Sequence, residues 1–128
     1  MTESRRPRPR VLIVDDNAQL LATSARFLRK RGIDVVTSDT PLGVRAMILE
    51  HTPSVVVLDV MMPAMDGVHL AHLIQNSSAA TPALVLYSAM DEETLRSMSL
   101  LLRRTSYVCK TDGLEALFKA ICGAGLAA

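Results

Sequence analysis

The sequence predicts an α/β domain, a doubly wound five-stranded parallel sheet with helices on both faces. Three observations carry this. Short aliphatic runs alternate with longer amphipathic stretches five times along the chain. The runs, such as Val11-Leu12-Ile13-Val14 and Val55-Val56-Val57-Leu58, show no polar alternation, as expected of strands buried on both faces. Four of them end on a residue able to do chemistry: Asp15-Asp16, Asp59, Ser88 and Lys110. At 128 residues the chain is sized for one domain with a proper core.

Residues 1–9 are polar and broken by Pro7 and Pro9, and are expected to be a disordered basic leader. The domain follows over 10–122. Strand 1 is Arg10 to Val14. Helix 1 runs from an Asn17 cap to Arg31, with Leu20, Leu21, Ser24, Phe27 and Leu28 on one face and Gly32 as its stop. Strand 2 is Ile33 to Thr37. Helix 2 starts near Pro41, a first-turn proline, and reaches Glu50. Strand 3 is Val55 to Leu58, and helix 3 covers Gly67 to Asn76. Strand 4 is Ala83 to Tyr87, helix 4 Glu92 to Arg103, strand 5 Ser106 to Cys109 and helix 5 Gly113 to Cys122. The small residues of 123–128 read as a frayed tail.

Composition narrows the function. A formal net charge of +1, with Arg5, Arg6, Arg8 and Arg10 gathered at the start, does not suit strong nucleic-acid binding by the domain. No apolar run approaches the ~18 residues of a membrane span. Cys109 and Cys122 form no metal-ligand pattern and read as reduced thiols of a cytoplasmic protein.

Ligands of an open parallel sheet bind at the carboxyl ends of its strands. The order of residues therefore gathers Asp15, Asp16, Asp59, Ser88 and Lys110 in one crevice. Adjacent carboxylates repel unless a cation compensates, and a hard divalent ion takes oxygen ligands. A cap after a strand explains an Asp-Asp pair alone, but not a third carboxylate at the matching position of the neighbouring strand. Asp59 can act as a nucleophile toward phosphorus. A divalent ion and Lys110 would neutralise the incoming charge, and Ser88 can donate to a phosphoryl oxygen.

Val14-Asp15-Asp16, the run Leu58-Asp59-Val60-Met61-Met62-Pro63-Ala64-Met65-Asp66-Gly67, Ser88-Ala89 and Lys110 together resemble the receiver domains of bacterial two-component response regulators, over residues 10–122. The resemblance implies a flavodoxin-like strand order 2-1-3-4-5. It implies Asp59 as phosphoacceptor, Asp16 as a direct Mg²⁺ ligand, Asp15 as a ligand through water and the Met61 carbonyl as another. Ser88 would be the switch hydroxyl, Tyr107 the switch aromatic and Lys110 the phosphate-binding lysine. The implied donor is a sensor histidine kinase or a histidine phosphotransfer protein. The implied output surface is helix 4, strand 5 and helix 5, meeting a downstream protein or a second copy. Such a domain is a regulatory phosphoacceptor rather than a turnover enzyme.

The chain departs from the family in three places. Thr111 follows Lys110 where a cis-proline is usual, and a cis bond before a non-proline costs about 2.5–4 kcal/mol, so a trans bond with a rebuilt loop is expected. Arg103-Arg104 replaces the usual Gly-Ala after helix 4, and Met90 stands where many members are polar. The first departure leaves a second reading open: a pseudo-receiver, folded alike but acting as an unphosphorylated protein-interaction domain. A phosphatase of the haloacid dehalogenase type needs an Asp two residues after the nucleophile, and that position is Met61. A flavodoxin-like cofactor binder needs a Ser/Thr/Gly-rich phosphate loop after strand 1, where Asp15-Asp16 would repel phosphate unless bridged by a cation. His69 and His72, spaced i, i+3 on helix 3 without a third ligand, read as surface. Leu95, Met98 and Leu102 form the core stripe of helix 4, with Leu100 pointing away.

Overall fold

The computed structural model describes residues 10–62, 66–76 and 81–126. The leader 1–9, the expected Pro63-Ala64-Met65 turn and residues 127–128 lie outside the described residues. Five parallel strands, β1 (Arg10–Val14), β2 (Asp34–Ser38), β3 (Val55–Leu58), β4 (Ala83–Ser88) and β5 (Thr105–Cys109), form one sheet in the order 2-1-3-4-5. The helices are α1 (Ala18–Arg29), α2 (Val44–His51), α3 (Gly67–Gln75), α4 (Glu92–Leu100) and α5 (Gly113–Ile121).

Each central strand is buried on both faces, and its residues alternate between two cores. Val11, Ile13, Val57 and Val85 pack with α1 and α5, through Leu28, Leu117 and Ile121. Leu12, Val14, Leu58 and Leu86 pack with α2, α3 and α4, through Ile48, Ile74 and Leu95. This two-residue period in an unbroken aliphatic run is what a doubly covered parallel sheet requires. Each fully buried Val or Leu contributes about 1.5–3 kcal/mol, so the aliphatic sheet dominates stability. At the sheet rim Arg10 pairs with Asp34, opposite it in register, at 2.7 Å, and donates to the His51 carbonyl at 3.1 Å.

Asn17 caps α1 as expected, accepting from the Leu20 amide at 3.0 Å. Gly32, at φ 86°, turns the chain back toward β2. Helices α1, α3 and α5 end one or two residues short of expectation, and two helices differ by three. α2 starts at Val44, not Pro41, because Gly43 sits at φ 79°, a left-handed conformation that ends the preceding turn; the Val44 amide reaches only to the Pro41 carbonyl, at 3.4 Å. α4 ends at Leu100, not Arg103. There Gln75, 3% exposed, donates through Nε2 to the Arg103 carbonyl and accepts from the Arg103 amide at 3.4 Å. Arg104 then takes φ 50° and enters β5. A side-chain clamp and a left-handed arginine do the work of the usual small residues.

Leu95 is buried, and Met98 and Leu102 are packed against the core, as the helix 4 stripe predicts. Leu100 is exposed, and so is its neighbour Leu101. Beyond Ile121 the tail widens into a π turn over Cys122–Leu126. Both cysteines are free. No described helix is long and apolar enough to cross a membrane.

Candidate functional site

The ladders of β1 with β3 and with β2 each run one residue past the strand ends. The Asp59 amide donates to the Val14 carbonyl at 3.0 Å, and the Asp15 amide to Ser38 at 3.1 Å. Both aspartates are thereby held side by side at the carboxyl edge. Asp15 is 3% and Asp59 6% exposed, while Asp16 faces solvent. Each of the three offers a carboxylate oxygen, and these oxygens lie within 4.8 Å of one another.

Lys110 closes the cluster from β5. Its Nζ lies 2.8 Å from Asp15 Oδ2 and 2.8 Å from Asp59 Oδ2. Burial alone would lower the ammonium pKa, but the hydrogen bonds to Asp15 and Asp59 and their charges outweigh it, and the net direction is up from 10.5. The lysine is therefore a fixed cation at neutral pH. It stands 5.9 Å from the centroid of the Tyr87 ring, a buried aromatic contact. Two backbone donors orient the carboxylates: the Asn17 amide donates to Asp15 Oδ1 and the Met61 amide to Asp59 Oδ1, each at 2.9 Å. The second bond holds the loop bearing Met61 against the site. Among the described residues Asp16 has no such partner.

The bond between Lys110 and Thr111 is trans, since the described chain has no cis peptide. Residues Lys110–Asp112 instead wind a 3₁₀ turn that leads into α5. The departure leaves Lys110 on both carboxylates, which removes the ground for reading the domain as a pseudo-receiver.

Ser88 is fully buried at the end of β4, and its Oγ accepts from the Met90 amide at 3.4 Å. Tyr107, partly buried on β5, donates its hydroxyl to Glu92 Oε2 at 3.2 Å. Met61 is half exposed, and Met90 is packed partly into the core. His69 and His72 are exposed and belong to no ligand cluster among the described residues.

The sequence model for the response regulator receiver domain matches residues 11–122. The chain belongs to the response regulator receiver domain family. The receiver domain is 31% identical over 114 residues to Protein PilG of Pseudomonas aeruginosa, covering 88% of this chain and 84% of that protein. It is 32% identical to the alkaline phosphatase synthesis transcriptional regulatory protein SphR of Synechococcus elongatus, over 87% of this chain but 46% of that protein. The receiver domain thus spans less than half of that longer regulator. A signal receiver domain from Bermanella marisrubri superposes with a TM-score of 0.81 at 24% identity, covering 92% of this chain and 98% of the other, a likeness of fold.

The donor set fits the Mg²⁺ that receiver domains bind: three hard oxygen ligands converge, two of them buried and pre-oriented by backbone amides.

Residues that sequence reasoning missed are Tyr87, Glu92 and Gln75. Tyr87 reads as one more apolar strand residue and Glu92 as a helix-start acid. A glutamine near the end of an amphipathic helix carries no sign of burial.

Proposed function

We propose that the receiver domain accepts a phosphoryl group on Asp59 from the phosphohistidine of a sensor histidine kinase or histidine phosphotransfer protein. It then signals through α4, β5 and α5 to a downstream protein or a second copy. The observation that carries this reading is the Lys110 ammonium 2.8 Å from each of two buried carboxylates. Such a buried, oriented charge cluster serves phosphoryl transfer well and fold stability poorly.

An Asp59 oxygen attacks phosphorus and the phosphorus–nitrogen bond breaks; the electron pair returns to nitrogen, and the donor imidazole, already protonated on its other ring nitrogen, leaves neutral. Asp59 is aimed by the Met61 amide on Oδ1, which leaves Oδ2 facing Lys110. Lys110 moves its charge from carboxylate to phosphoryl oxygen. Asp16, Asp59 and the Met61 carbonyl, with Asp15 through water, would hold Mg²⁺, which would supply further neutralisation of phosphoryl charge. Ser88 turns from the Met90 amide to donate to a phosphoryl oxygen, and Tyr107 changes position with it. Met61 and Met90 flank the group with side chains that cannot aim a water, so decay of the phosphoaspartate is slow.

Incubation with acetyl phosphate and Mg²⁺ adds one phosphate by mass. Asp59→Asn or EDTA abolishes the addition. Persistent labelling of the Asp59→Asn protein would refute the assignment.

A further inference from the structure

The Tyr107 hydroxyl donates to Glu92 Oε2 at 3.2 Å, joining edge strand β5 to the first turn of α4. Glu92 is the first helical residue after the Asp91 cap, whose side chain accepts from the Thr94 amide at 3.1 Å and its hydroxyl at 2.8 Å. A carboxylate in that turn is favoured by the helix dipole, so Glu92 is in place before Tyr107 reaches it. Arg96, one turn on, and Glu93 complete a shallow depression of about 320 Å³ with Glu92 and Tyr107. Burial and the Glu92 bond both push the Tyr107 hydroxyl above its ordinary pKa, so it stays protonated and a donor at neutral pH.

Ser88 and Glu92 bracket the short loop between β4 and α4. The Ser88 hydroxyl is held inside that loop by the Met90 amide. A Ser88 that turns toward a phosphoryl group releases Met90 and shifts the start of α4, and with it the carboxylate that holds Tyr107.

We propose that Glu92 is a latch that holds the Tyr107 ring over α4 in the unphosphorylated protein, so that the loop movement started by Ser88 frees the ring. Glu92 is thus a positioning residue that sets the resting balance of the switch. This rests on the reading of Ser88 and Tyr107 as switch residues.

The test follows the ring signals of Tyr107 by NMR, with Mg²⁺ and beryllofluoride as the phosphoryl mimic; the only other tyrosine is Tyr87, and Tyr87→Phe assigns the pair. In Glu92→Ala the unliganded Tyr107 signals move part of the way to their mimic-bound positions. The mimic concentration for half conversion falls about three- to tenfold, the size expected of one lost hydrogen bond. Glu92→Gln, which keeps an acceptor oxygen, stays near wild type. In a Tyr107→Phe background Glu92→Ala leaves the midpoint unchanged. A Glu92→Ala ring spectrum identical to wild type overturns the latch, as does an equal midpoint shift in the Tyr107→Phe background. If the mimic binds but leaves the wild-type ring in place, the switch reading fails and the latch with it. A wild type that responds beside an unaltered Glu92→Ala refutes the latch alone.

Discussion

Lys110 donates to Asp59 Oδ2 at 2.8 Å, so the proposed phosphoacceptor is already held by the cation proposed to stabilise the phosphoryl group. The same ammonium bridges Asp15. Removing it leaves two carboxylates facing each other at a buried edge. Lys110→Ala should lower stability by about 1–3 kcal/mol without Mg²⁺, less than a fully buried pair because the lysine side chain keeps 17% of its exposure. The variant should bind Mg²⁺ more tightly than wild type and accept phosphate far more slowly. Calorimetry with and without Mg²⁺ checks the first two; equal melting temperatures for variant and wild type in EDTA would contradict the cluster's electrostatics.

Among the described residues Asp16 is the carboxylate of the cluster with no hydrogen-bond or ion-pair partner, so its charge is the one left for a cation. Asp16→Ala should weaken Mg²⁺ binding on the order of tenfold or more, while Glu50→Ala leaves it unchanged. Millimolar Mg²⁺ should raise the melting temperature of the wild type by linkage and that of Asp16→Ala much less. A wild-type melting temperature indifferent to Mg²⁺ would count against a formed site.

Gly67 opens α3 against the loop that follows Asp59. A Cβ placed there would lie 2.6 Å from Val60 Cβ and 2.8 Å from Val60 Cα, which the backbone must yield to relieve. Gly67→Ala should cost about 1–3 kcal/mol by overpacking and slow phosphorylation through the displaced Met61 amide. Denaturant unfolding beside an acetyl phosphate time course tests both; a fully stable Gly67→Ala would show that the loop gives way freely.

Thr111→Pro installs the residue usual in the family, yet here it should harm. Proline disfavours helical geometry in the residue before it, and Lys110 opens a 3₁₀ turn. The lysine should swing off Asp15 and Asp59, lowering both melting temperature and phosphorylation rate. A stabilised Thr111→Pro protein would contradict this account.

Alkaline stability follows from three groups. Lys110 is raised above 10.5 by its two carboxylates in spite of its burial, Tyr87 above 10.0 by burial, and Tyr107 above 10.0 by burial and Glu92. Each folded pKa lies above its unfolded value, so each contribution is complete below the unfolded pKa and is lost as pH rises through the folded one. Thermal melts should fall steeply above about pH 10, and Tyr87→Phe should flatten the fall. A flat alkaline profile in wild type would refute these shifts.

Most of this fold was legible in residue order, because unbroken aliphatic runs admit few readings and each ends where the chain must turn at a sheet edge. The positions of Asp15, Asp59, Ser88 and Lys110 follow from strand ends alone. Helix limits were less legible where the deciding feature was a backbone angle or a distant partner. Gly43 at φ 79° moved the start of α2, and Gln75, 28 residues from Arg103 in sequence, ended α4 early. Glu92 and Tyr107 are 15 residues apart and on different elements, so their bond exists only once α4 packs beside β5. The sequence by itself determined which chemical groups reach the carboxyl edge, since strand ends set that locally. The tertiary structure alone decided which of those groups touch and how the chain beside them is held. Those contacts depend on distances between elements, which a one-dimensional order does not contain.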